Sequence, residues 1–167
     1  MIRNLIILDN AGRNLLAVNF GECHSLGGSS LLVSSFISAI YSFGQSALGE
    51  GVKNIKFENL IFLLMAKDDL IFLISADDDE TENNRLKLDR ISAMFLEKHA
   101  QEIQDFEKTS LTPDFTEFTN LLLDLKITQK NCGGKPECEG CPNHRVLPLD
   151  EIVKVFRKES GEKMMRR

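Results

Sequence analysis

Apolar residues in this chain switch between strand-like and helix-like spacing in a definite order. Leu5-Ile6-Ile7-Leu8 is a continuous apolar run, closed by the turn formers Asp9-Asn10-Ala11-Gly12. Over residues 14–20, Leu16, Val18 and Phe20 alternate with Leu15, Ala17 and Asn19, so the two segments predict a hairpin. A loop over 21–28 follows, and Ser29 or Ser30 is placed to cap a helix, because a serine oxygen accepts bonds from first-turn amides. Leu32, Phe36, Ile40 and Phe43 then recur at helical spacing and make one apolar face, while Ser34, Ser38 and Ser42 make a second stripe. Gly44 and Gly49 fall near or after the end of this helix, where glycine tolerates positive φ.

Residues 52–58 alternate weakly, with Lys53, Ile55 and Phe57 on the more apolar side, as in a half-exposed strand. Residues 60–66 and 70–76 are apolar runs joined by Lys67-Asp68-Asp69, which predicts a hairpin of strands buried on both faces. A long helix is predicted over 86–106, with Leu88, Ile91, Phe95, His99, Ile103 and Phe106 as its stripe. Thr112 and Pro113 are placed as cap and first residue of another helix, whose inner face is Phe115, Phe118, Leu122 and Leu125. A cysteine-bearing loop spans 131–144, and Ile152, Val153 and Phe156 point to a last helix over about 150–158.

This order makes an α/β chain with five strands. The first, fourth and fifth strands are apolar throughout and belong at the centre of a sheet, whereas the second and third alternate and belong at its edges. Covering both faces of the central strands requires one helix on one face and two on the other. Residues 1–127 are expected to form this unit, and 128–167 a Cys-rich loop with a C-terminal helix.

Composition narrows the function. A chain of 167 residues with 43% hydrophobic content supports a core without disulfides. The net charge of −5 argues against a dedicated nucleic-acid binder, which needs a basic surface. No apolar run approaches the roughly 20 residues of a membrane helix. Residues 1–8 do not read as a signal peptide, which points to a cytoplasmic, reducing setting.

The sharpest chemical feature is the cluster Cys132, Cys138, Cys141 and His144. Closely spaced cysteines wrap a tetrahedral zinc ion, and Gly133, Gly134, Pro136, Gly140 and Pro142 supply turns. With four protein ligands the ion would be structural, since no position stays open for substrate. His144 follows Cys141 closely, so Cys23 or His24 competes for the fourth place. An iron–sulfur cluster and free thiols are the rival readings. Elsewhere the chemistry is thin. Gly27-Gly28-Ser29-Ser30 lacks the lysine of a phosphate loop and reads as a helix cap. Asp77-Asp78-Asp79-Glu80 lacks the calcium-loop spacing and reads as a solvated loop. His99 has no nucleophile or carboxylate at a motif distance and reads as a hydrogen-bonded boundary histidine. No catalytic residue emerges, so the chain is not expected to be an enzyme.

The hairpin Leu5-Ile6-Ile7-Leu8 / Asp9-x-x-Gly12, the helix over 30–43, the hairpin over 60–76 and the helix ending near Phe106 together resemble the longin domain, within the longin and roadblock superfamily. The resemblance covers about residues 1–127 and implies an antiparallel sheet of order 2-1-5-4-3. It implies a non-catalytic adaptor or scaffold in membrane traffic, associated with small GTPases or with a related longin or roadblock subunit. Such domains often pair through the first helix and the sheet edge. Here that surface would hold Ser34, Ser38 and Ser42, whose small side chains admit a close partner, with Lys53, Ile55 and Phe57 on the edge strand. A thin polar face beside water is the plainer account of the serines. A homo- or heterodimer is expected, with any membrane association peripheral and through partners. The heptad segment and anchor of the fusion-protein members are not expected here, so neither is a direct fusion role, and the cysteine tail is not part of the family pattern. The alternative function is a metal sensor or regulatory protein working through the cysteine cluster.

Overall fold

The computed structural model describes residues 1–20, 30–57, 60–76, 81–109 and 111–129. In chain order the elements are β1 (Ile2–Asp9), β2 (Asn14–Asn19), α1 (Ser30–Leu48), β3 (Asn54–Lys56), β4 (Ile61–Lys67), β5 (Leu70–Ala76), α2 (Thr81–Lys98), α3 (Ala100–Thr109) and α4 (Thr116–Asp124). The strands form one antiparallel sheet of order β2-β1-β5-β4-β3. The apolar strands β1, β5 and β4 take its centre and the alternating strands its edges, as their patterns require.

Local chemistry fixes the turns. At the first hairpin, Asp9 Oδ1 accepts from the amides of Ala11 (3.0 Å) and Arg13 (2.8 Å), and Asp9 Oδ2 pairs with Arg13 Nε at 2.6 Å. Gly12 closes the turn at φ +82°, a left-handed conformation that costs an L residue about 1–2 kcal/mol. A Cβ there would also lie 2.9 Å from Ser38 Oγ, so the missing side chain lets α1 rest on the turn.

Alternate residues of the sheet feed two separate cores. On one face Leu5, Ile7, Leu63, Phe72 and Ile74 pack against α2, α3 and α4 through Leu88, Ile91, Phe95, Phe106, Phe118 and Leu122. Phe95 is the hub: its ring centroid lies 6.0 Å from that of Phe72, 5.0 Å from Phe115 and 5.1 Å from Phe118. On the other face Ile6, Leu8, Phe62, Leu64, Ile71 and Leu73 meet α1 through Ile37, with Val33, Tyr41 and Ile55 at the margin.

Several boundaries depart from the sequence expectation. The helix expected over 86–106 starts at Thr81 and breaks at His99 into α2 and α3. The ladder bonds His99 N–H to Phe95 O (3.0 Å) and Ile103 N–H to His99 O (3.0 Å) persist, so the break is a bend. Helix α4 begins at Thr116 rather than at Pro113, because Asp114 Oδ1 takes the Thr116 amide at 2.9 Å and its hydroxyl at 2.6 Å. Thr112 is no cap; its hydroxyl bonds the Asn14 carbonyl at 3.4 Å and ties the α3–α4 connection to β2. Leu125 is exposed instead of inward, and Ile127 takes the buried place at the end of α4. The third strand contracts from residues 52–58 to Asn54–Lys56.

Candidate protein-binding face

Helix α1 is built differently from its counterparts. Its sequence SLLVSSFISAIYSFGQSAL contains no acidic or basic residue, whereas α2 and α3 carry both. The side turned to the sheet holds Ile37 and Ser34, both fully buried, with Val33, Ser38 and Tyr41 half-buried. Ser34 Oγ donates to Asn14 Oδ1 at 2.6 Å, and Ser38 packs on Gly12. The sheet surface beneath α1 is therefore small and polar at its β2 side, which suits serine and leaves no room for phenylalanine.

The expected inner face of this helix consequently points outward. Leu32 is 70% exposed, Phe36 47% and Phe43 67%, with Ala39 also exposed; of the four residues of the expected stripe only Ile40 is half-buried, at its flank. The expected serine surface divides: Ser34 is buried, Ser38 is half-buried and only Ser42 is exposed. Ser34 is thus a core contact and offers nothing to a partner. A helix of 3.6 residues per turn carries two apolar stripes in this sequence, one on each side.

The edge strand β3 is at the opposite edge of the sheet from β2, and its Ile55 packs against the core beneath α1. Lys53 is exposed, Ile55 is half-buried against the core that holds Val33 and Tyr41, and Phe57 stands edge-on to Phe62 with centroids 5.6 Å apart. Leu64 N–H donates to Lys53 O at 2.9 Å and Phe57 N–H to Leu60 O at 2.8 Å, while Ile55 pairs with Phe62. In an antiparallel ladder these alternate positions bond inward, so the Ile55 amide serves β4 and the Asn54 amide points away from it. An edge of three strand residues is short, one of the usual protections against unwanted pairing. The α1 face is accordingly the larger part of the open surface.

Other candidates fall away or lie elsewhere. Cys132, Cys138, Cys141 and His144, like Cys23, His24, the residues 27–29 and the acidic run 77–80, lie outside the described residues. Among the described residues no group of metal ligands forms. His99 is buried, not at a boundary: Nδ1 lies 3.2 Å from Glu102 Oε1, Nε2 has no hydrogen-bond partner, and Phe95, Phe115 and Phe118 surround the ring. Its hydrogen-bond and ring contacts among the described residues are thus one carboxylate and three phenyl rings, with no nucleophile among them. An open cavity of about 740 Å³ at the end of α4 is lined by Asn120, Leu123, Asp124, Lys126, Thr128 and Gln129, with no histidine or cysteine among them. None of the helices among the described residues is long and apolar enough to cross a membrane.

In comparisons with known proteins, no family model and no curated protein matches the chain. The outward face of α1 is what sequence periodicity overlooked, and the signal for it was present: a surface helix without a single charge.

Proposed function

We propose that this chain is a non-catalytic protein-binding module that docks its partners on the outward face of α1 and the adjoining β3 edge. The carrying observation is α1 itself, an uncharged helix with Leu32, Phe36 and Phe43 turned to solvent. Large apolar side chains grouped on one surface mark an interaction site, because leaving them in water is unfavourable and covering them is not. The longin-like sequence pattern supports the same use: an adaptor or scaffold of the trafficking type, cytoplasmic, pairing with a related longin or roadblock subunit or with a small GTPase. In that setting membrane association is peripheral and passes through the partners.

The test is a comparison of proteins co-purified from native lysate by the wild-type chain and by the Phe36→Glu/Phe43→Glu double variant. The expected result is a stoichiometric partner held by the first and lost by the second, with both chains equally folded. Identical sets of bound proteins would remove the face from consideration.

The alternative reading is a metal-dependent regulator, favoured by the spacing of Cys132, Cys138, Cys141 and His144. Protein purified without chelator should then hold close to one equivalent of zinc, released by Cys138→Ser. A visible absorption band with bound iron would assign an iron–sulfur cluster instead, and less than roughly a tenth of an equivalent of either metal would leave free thiols.

A further inference from the structure

We infer that the cavity at the end of α4 binds a small zwitterion, an α-amino acid, with its ammonium group on Asp124 and its carboxylate on Lys126. The site belongs to the α2–α4 layer, across the sheet from α1, and is independent of the binding-module reading above. Its volume of about 740 Å³ falls within the range of about 300–1,000 Å³ usual for small-molecule sites. Such sites are mostly apolar, but here Leu123 is the one apolar residue beside Asn120, Asp124, Lys126, Thr128 and Gln129. A lining of that kind suits a small, charged occupant.

Three independent features of the lining each run against stability and meet at this one cavity. Thr128 is only 4% exposed, and its Oγ1 has no hydrogen-bond partner among the described residues. A buried hydroxyl without a partner is unfavourable, and a ligand in the cavity that Thr128 lines would supply one. Asp124 is the last residue of α4, where the unpaired carbonyls already make the negative pole of the helix, and the last turn carries no basic residue. This end of the helix therefore lacks a cation. Lys126 holds φ +54°, a left-handed position that favours glycine, and in doing so keeps an ammonium group on the lining. Backbone held in such a conformation by a non-glycine residue is concentrated at binding sites.

The charges select the ligand class. Among the described residues Asp124 and Lys126 form no ion pair, either with each other or with a neighbour. A simple anion drawn to Lys126 would meet Asp124 as a like charge, and a simple cation drawn to Asp124 would meet Lys126 as one. A molecule with both signs on adjacent groups satisfies both residues, and an α-amino acid carries its ammonium and carboxylate on a single carbon. Asn120 stands four residues before Asp124, on the same side of α4, and with Gln129 it offers amide donors and acceptors to either group. Leu123 leaves an apolar contact for a short aliphatic side chain.

Titration calorimetry of the full chain against each common free amino acid, up to about 10 mM, tests this. At least one should bind with a dissociation constant of about 1 mM or lower, and its N-acetyl and methyl-ester forms should each bind at least about tenfold more weakly. Asp124→Asn and Lys126→Gln should each weaken binding by about tenfold or more, whereas Phe36→Glu on the α1 layer should leave it unchanged. Thr128→Val keeps the shape and removes the hydroxyl, so it should weaken binding while leaving the urea midpoint of the free chain equal or higher. That pairing of effects is one a merely structural threonine would not give. The absence of binding by any amino acid at that concentration overturns the inference. Equal binding of the N-acetyl form, which marks a simple anion site, overturns it too, as does affinity indifferent to both charge variants.

Discussion

The two faces of the sheet are finished to different degrees. The α2–α4 layer closes over its core: Phe95, Phe106, Phe118 and Leu122 are buried, and the charged residues of these helices stand outside. The α1 layer has a core of similar depth over the sheet, with Ile37, Leu64, Ile71 and Leu73 buried, yet its outer surface is apolar as well. The difference teaches where stability and function separate. The first layer leaves single apolar side chains in water, Leu86 on α2 and Leu125 after α4. The second leaves Leu32, Phe36 and Phe43 together on one uncharged helix, the surface proposed above to take a partner.

The comparison breaks most visibly if equivalent aromatics on the two layers behave alike. Phe95 has no exposed surface and touches the rings of Phe72, Phe115 and Phe118, so Phe95→Ala should cost about 3–5 kcal/mol in urea unfolding. Phe43 is 67% exposed, and Phe43→Ser should change the stability of the dissociated chain by less than about 0.5 kcal/mol. Measurement at low concentration keeps self-association from adding to the second value. A large loss from Phe43→Ser in dilute chain would mean that α1 is already covered by other residues of the same molecule.

A second comparison sharpens how α1 is seated. Gly12 and Gly49 both have positive φ, +82° and +70°. A Cβ at Gly12 meets Ser38 Oγ at 2.9 Å, while one at Gly49 meets nothing within 4 Å. Both alanine substitutions carry the left-handed cost of about 1–2 kcal/mol, and Gly12→Ala should lose about 1 kcal/mol more through crowding. Adding Ser38→Gly should relieve that excess at Gly12 and leave Gly49→Ala unaffected. Equal losses at the two glycines would show that α1 shifts freely on the turn.

Much of this architecture was legible in the sequence because burial on two faces writes a continuous apolar run. That placed β1, β4 and β5 at the centre and left β2 and β3 at the edges, while the order of the strands came from the longin resemblance and is the order the sheet has. Periodicity could not say which side of α1 faces inward. Val33, Ile37 and Tyr41 satisfy helical spacing as well as Leu32, Phe36 and Phe43 do, and the larger residues drew the assignment. What decides is the sheet surface beneath, where Asn14 and Gly12 select Ser34 and Ser38, and such a contact between distant segments leaves no local mark. The edge register was equally hidden: Ile55 is the apolar residue of β3, but the pairing puts the outward amide at Asn54.

Smaller effects test how the closed layer ends its helices. After α4, Lys126 adopts φ +54°, its amide donates to Leu123 O at 3.0 Å, and the Ile127 amide donates to Leu122 O at 3.0 Å. This is a helix-ending motif that usually places glycine at the left-handed position, with an apolar contact such as Ile127 on Leu122 beside it. Lys126→Gly should stabilise the chain by about 0.5–1 kcal/mol, the relieved strain less the added freedom of the unfolded glycine. A loss of stability in thermal unfolding would mean that the lysine side chain contributes more than its backbone costs.

The smallest effect concerns the bend between α2 and α3. Glu102 sits in the first turn of α3, where its own backbone amide and then the His99 ring hold its carboxyl below the usual value of 4.5. A carboxylate whose folded pKa is depressed stabilises the fold above its unfolded pKa, and that contribution disappears as pH falls through the folded one. The wild type should therefore be more stable than Glu102→Gln near pH 6, and the gap should close as pH falls below about 4.5. Asp114 is depressed too, by the Thr116 hydroxyl and amide, and titrates in the same acid region. Taking the difference between wild type and variant at each pH removes its share. Because Glu102 is largely solvated the gap is modest, and urea midpoints on matched samples are the suitable readout. A gap that stays constant down to pH 3 would show that the carboxylate's charge contributes nothing at the bend, leaving the Phe95, Phe115 and Phe118 rings alone to hold His99 in place.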